Sequence, residues 1–201
     1  MRTRTLAVIA LLGLMAIATT GCGPKEASSP KEAAKLMAEA MEEGNKDQYL
    51  AQFEATEDQK KLLGAQFDMT QAMLEFHKKM KDAYGDEFKG DMEFGFDQFE
   101  KAEVKTDGDT ATLTVPGQGG EMNLVKKDGA WKIDVGGEIG ENPEKGIKMI
   151  KAQIEAYESV MEDIGKEGET VDSISKKLKE ARMKAMGMGD MPEPDMNRLP
   201  E

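Results

Sequence analysis

The chain has 201 residues and a formal charge of −12, with 39 acidic side chains against 27 basic ones. That balance repels phosphate backbones, and the lysines alternate with glutamates along helical stretches instead of clustering, so nucleic acid is excluded as an expected partner. Apolar residues make up 39% and recur periodically, which predicts a folded chain with one compact domain plus appendages.

At the N-terminus Arg2 and Arg4 precede an uncharged apolar run over residues 6–18. This has the form of a signal peptide and is too short to cross a bilayer, which takes about 20 apolar residues. Thr19-Thr20-Gly21-Cys22 follows and resembles the bacterial lipobox, although Thr19 stands where leucine is usual. The resemblance implies cleavage after Gly21 and lipid attachment at Cys22, with a diacylglyceryl group on sulfur and a further acyl chain on the new amine. The competing expectation is plain secretion, with cleavage after Ala16-Ile17-Ala18. Cys22 is the single cysteine of the chain, and an unpaired thiol is unusual in an exported protein unless lipid consumes it. No disulfide framework and no catalytic thiol is then expected. The signal holds two basic residues and no acid, so its loss moves the charge from −12 to −14. Gly23 stands where, in the lipoproteins it resembles, an aspartate signals inner-membrane retention. In a two-membrane cell the outer membrane is therefore favoured over the inner one. Residues 22–28 are expected to be a short polar tether lifting the domain off the bilayer.

Ser29-Pro30-Lys31-Glu32 predicts a helix start, with Ser29 as N-cap, proline at the first helical position and Glu32 closing a capping box. Ala33, Leu36, Met37, Ala40 and Met41 form one apolar stripe that ends at Gly44-Asn45. Tyr49, Leu50 and Phe53 predict a further helical turn. Thr56 with Gln59 opens a long helix to about Tyr84, with Leu62, Leu63, Phe67, Met73, Phe76 and Met80 inside. Alternation then takes over. Ala102 and Val104 lead to an Asp107-Gly108 turn, followed by Ala111, Leu113 and Val115; Met122 and Leu124 lead to Asp128-Gly129, followed by Trp131, Ile133 and Val135. The expected fold class is α+β, with N-terminal helices packed on a four-stranded antiparallel meander, followed by a C-terminal helical hairpin.

The capped helix with its Gly-Asn break, the second helix, and the stretches 107–115 (DGDTATLTV) and 123–134 (NLVKKDGAWKID) together resemble the nuclear transport factor two-like, cystatin-like lipoproteins of bacteria. The likeness covers residues 29–137. It implies a curved sheet wrapped on long helices as a cone, which in that superfamily holds a ligand, an active site or only side chains. Residues 141–186 depart from it. Ile147, Ile150, Ile154, Tyr157, Met161 and Ile164 mark one amphipathic helix, and Val171, Ile174, Leu178 and Ala181 mark a second. This hairpin either fills the concave face of the sheet or projects towards a partner. From Gly187 the chain loses periodicity. The expected organisation is a signal peptide over 1–21, a tether over 22–28, an α+β domain over 29–140, a helical extension over 141–186 and a disordered Met-rich tail over 187–201.

The chemistry is sparse. His77 is the single histidine, so a general-base role is weighed against a residue at a helix flank. No nucleophile elbow, phosphate-binding glycine loop or zinc spacing is present, and no cofactor is expected. Asp107-Gly108-Asp109 lacks the rest of a calcium loop. Met183, Met186, Met188, Met191 and Met196 are similar to motifs that bind Cu(I) through thioethers, but methionine is abundant throughout and serves equally as core filler. Trp131 alternates with Ile133 and Val135 as a core residue does. The leading expectation is a non-enzymatic, lipid-anchored envelope module that meets the membrane through Cys22 and an envelope protein through its C-terminal helices. Two readings stand beside it: a small-molecule binder or enzyme in which Tyr49, His77 or Tyr84 converge in a cavity beside Trp131, and a metal-binding tail.

Overall fold

The computed structural model describes residues 23–90, 96–116, 120–136 and 143–187. The signal segment, Cys22, and Met188, Met191 and Met196 of the tail lie outside the described residues. Among those described, five α-helices and a five-stranded mixed sheet make an α+β protein.

Helix α1 (Pro30–Glu42) begins where the sequence predicts, with the Ser29 hydroxyl accepting the Glu32 amide. The capping box closes differently. The Glu32 carboxylate accepts from the amide of Ser28 at 2.7 Å and from the Ser28 hydroxyl, one residue earlier than expected. Helix α2 (Lys46–Ala51) is capped by Asn45. Phe53, expected to be helical, instead starts a short strand β1 (Phe53–Glu54). Helix α3 (Glu57–Tyr84) carries the complete Thr56/Gln59 capping box and at 28 residues is roughly 40 Å long.

Strands β2 (Glu103–Asp107), β3 (Thr110–Thr114), β4 (Glu121–Lys127) and β5 (Ala130–Asp134) run antiparallel in sequence. The sheet order is β1-β5-β4-β3-β2, and β1 lies parallel to β5, pairing Phe53 with Ile133. The expectation of a four-stranded antiparallel sheet is corrected by this fifth, parallel strand. The first hairpin loop is Gly108-Asp109, one residue later than expected, because Asp107 pairs with Thr110. The second is Asp128-Gly129, both at positive φ, as a two-residue turn matching strand twist requires. Register puts Val104, Ala111, Leu113, Met122, Leu124, Trp131 and Ile133 on one face, and Lys105, Thr112, Asn123, Lys132 and Glu54 on the other. The first face is the core face.

Helix α1 covers that face. With Tyr49, Phe53 and the first half of α3 it encloses a first apolar core centred on Leu113, Leu124 and Trp131. Helices α4 (Pro143–Met161) and α5 (Val171–Ala185) take neither position expected of them: α4 packs along α3 and α5 packs chiefly on α4. Gly146 lies near Leu62 and Gly165 near Ala83, so α4 runs alongside α3 in the same direction. The result is a second core of Phe76, Met80, Tyr157, Val160 and Ile174. The stripe on α3 is thus divided, with Leu63 and Phe67 facing the sheet core and Phe76 and Met80 facing the hairpin.

Candidate functional site

The described chain starts one residue after the proposed lipid-bearing cysteine, and it is held down almost at once. Gln48 and Gln52 sit four residues apart, on one face of α2 and its C-cap, so both amides reach the same point. Gln48 Oε1 accepts the Lys25 amide at 2.6 Å, while Gln48 Nε2 and Gln52 Nε2 donate to the Lys25 carbonyl at 3.1 and 3.0 Å. Two residues on, Ala27 forms an antiparallel bridge to Trp131, whose amide donates to the Ala27 carbonyl at 2.9 Å. Ala27 is 2% exposed and Gln52 1%. The segment expected to be a tether is docked from Lys25 onward. Neither glutamine was singled out from sequence, where an i, i+4 amide pair has no distinctive signature.

The polar side chains proposed to converge in a cavity do not meet. Tyr49 is buried against Phe53 and Phe67, with ring centroids 4.9 and 5.1 Å away, and burial pushes its phenol up to about 12. Trp131 is buried in the same core, in line with its alternation. His77 lies at the other end of α3, where Nδ1 is 3.1 Å from the Gly90 carbonyl and the ring packs edge-on to Phe88. With the proton on Nδ1, that contact is a hydrogen bond that ties down the loop after α3. The Tyr84 hydroxyl accepts the Gly165 amide at 3.1 Å, joining α3 to the α4–α5 turn. Each of these three groups has a structural use, and they are divided between two cores.

The turn between α4 and α5 carries a denser set of charges. Lys177 Nζ reaches Asp163 Oδ2 at 2.7 Å and Glu169 Oε1 at 2.5 Å, and Lys166 Nζ reaches Asp163 Oδ1 at 2.8 Å. Hydrogen bonds from Lys166 and Lys177 hold the Asp163 carboxyl down at about 2. Lys177 and Ser173 lower that of Glu169. The four charges close the hairpin and neutralise one another, so this cluster reads as a clasp.

Two grooves remain. One of about 480 Å³ lies beside α1, where Lys31, Lys35, Glu32 and Glu39 surround Phe99, and it is partly self-neutralised by the Lys35–Glu39 pair. The other, of about 880 Å³, runs between α3 and α4 over an apolar floor that includes Ala72, Ile154 and Met161. Its walls carry Glu42, Asp68, Glu75, Glu158 and Glu162 against Lys78 and Lys79. Asp68 is paired with Lys46 and Glu75 with Lys79, which leaves Glu42, Glu158 and Glu162 against Lys78 and a net negative wall. Among the described residues no group of three or more histidine, cysteine or carboxylate side chains is placed to hold a metal ion, and no helix is long and apolar enough to cross a membrane.

These elements define an α+β protein with two apolar cores on one shared helix and an acid-walled groove along that helix. Comparison with protein families, characterised proteins and solved structures finds no match to the chain.

Proposed function

We propose that this protein is an exported lipoprotein, anchored through lipid on Cys22, that holds another envelope protein in the groove between α3 and α4 and performs no chemistry of its own. The observation that carries the binding role is the groove itself: an apolar floor whose walls carry five carboxylates against two lysines, Lys78 and Lys79. Such a surface suits a partner segment that presents basic side chains around an apolar stripe, since complementary charge steers the encounter and excludes acidic competitors. The anchor is supported by the basic n-region, the short apolar run and the lone cysteine at its end. The likeness of residues 29–137 to the nuclear transport factor two-like lipoproteins belongs to the same reading. It is supported by the order of a capped helix, a Gly-Asn break, a second and a long helix, and two tight hairpins.

The test is site-specific photo-crosslinking in the producing cell's envelope, with the crosslinker at Glu158 in the groove or at Thr112 on the polar sheet face. A discrete protein adduct from position 158, absent from position 112 and lost in Glu42→Lys/Glu162→Lys, is expected. Identical adducts from both positions, or none from 158, would refute the groove as the binding surface.

A further inference from the structure

The geometry of residues 25–28 points to a fixed standoff: we infer that the protein rests with its α2 corner directly on the lipid headgroups, as a docked body and not as a domain on a leash. This rests on the lipidation of Cys22 proposed above.

The argument is one of reach. A fully extended chain spans at most about 3.6 Å per residue, so a free tether from Cys22 to Ser29 would allow the domain roughly 25 Å of travel. With Lys25 clamped by Gln48 and Gln52, three residue steps remain, or about 11 Å. The acyl chains start at the inner boundary of a headgroup layer that is itself roughly 5–8 Å thick. Most of the remaining chain is therefore spent crossing the headgroups, and Lys25 is left at or just above their outer surface.

The clamp is also one that the fold enforces. Releasing the segment would strip the Gln52 amide, 1% exposed, of its Lys25 acceptor, leave the Trp131 amide without the Ala27 carbonyl, and expose Ala27 together with the apolar surface beneath it. The docked segment and the body then move as a unit, and the anchor selects which surface faces the bilayer. Asp47, exposed on α2 next to Gln48, lies at the bilayer side. Tyr49 of the same helix stacks on Phe67, while the α4–α5 turn is tied to Tyr84, 17 residues further along α3 and so about 25 Å along its axis. Glu167, exposed in that turn, is remote from the anchor.

The experiment uses the full chain, processed and lipidated in its producing cell, carrying either Asp47→Cys or Glu167→Cys. Its own cysteine is consumed by lipid, so the introduced thiol takes a fluorophore selectively. Each protein is reconstituted into phosphatidylcholine vesicles containing a headgroup nitroxide lipid. Quenching at position 47 is expected to exceed that at 167 several-fold. Inserting six Gly/Ser residues between Gly23 and Pro24 should abolish most of the difference while leaving the circular dichroism unchanged. Equal quenching at the two positions, or a difference that the insertion does not alter, overturns the docked standoff. The intact mass separates the two ideas: a Cys22 without acyl mass sinks the lipidation reading and the standoff with it, whereas a lipidated protein with equal quenching sinks the standoff alone.

Discussion

Helix α5 is held by one fully buried side chain, Ile174 at 0% exposure, together with half-buried Val171, Leu178 and Ala181. Ile174→Ala removes three carbons. At about 0.8 kcal/mol per buried methylene that is roughly 2.4 kcal/mol, and an incompletely collapsed cavity raises it to about 3 kcal/mol. Because α5 packs chiefly on α4 while the sheet core is built on α1 and the other half of α3, the loss should fall on the docking of α5 and not on the whole fold. At a factor of ten per 1.4 kcal/mol, native-state hydrogen exchange of the α5 amides beyond its first turn should accelerate roughly a hundredfold. Amides of β3 and β4 should keep their protection. If those strands accelerate by the same factor, the two cores unfold as one and the division along α3 has no energetic meaning. If α5 does not accelerate, Ile174 is not what holds it.

The opposite substitution strikes the first core. Trp131→Ala should cost about 3–5 kcal/mol and lower the urea midpoint of the entire domain, because the side chain is buried in the first core; a loss below about 1 kcal/mol would refute that placement. The α4–α5 clasp gives a pH signature. Asp163 is held down at about 2 against an ordinary 3.8, so its contribution is intact above pH 4 and is lost as pH falls through about 2. Tyr84 fluorescence or amide exchange in residues 162–170 should change in that window, and Asp163→Asn should remove the change; a transition that survives the substitution belongs to other carboxylates.

Much of the local structure was legible because its determinants lie within a few residues of one another. Ser29, Thr56 and the Asp128-Gly129 turn act through neighbouring amides, and the alternation from Ala111 to Ile133 reports a strand with one wet face. Asp-Gly and Gly-Asp loops both fit the dipeptide pattern at 107–109, and cross-strand pairing of Asp107 with Thr110 is what selects Gly108-Asp109. Strand β1 was not legible. Two residues carry no periodicity, and Phe53 is extended because Ile133, 80 residues later, donates its amide to the Gln52 carbonyl.

By itself the sequence determined the α+β class, the starts of α1 and α3, the apolar face of the sheet and the apolar stripes of α4 and α5, since each follows from local propensity and the period of apolar residues. Which surface covers which stripe was decided only in three dimensions. Hydrophobic burial is non-directional, so the hairpin's stripe was equally compatible with the sheet, another chain or the far half of α3, and only the paths of α3 and α4 select the last. The same holds at the N-terminus: residues 22–28 read as a tether until Gln48, Gln52 and Trp131 are found to supply the backbone of Lys25 and Ala27 with partners.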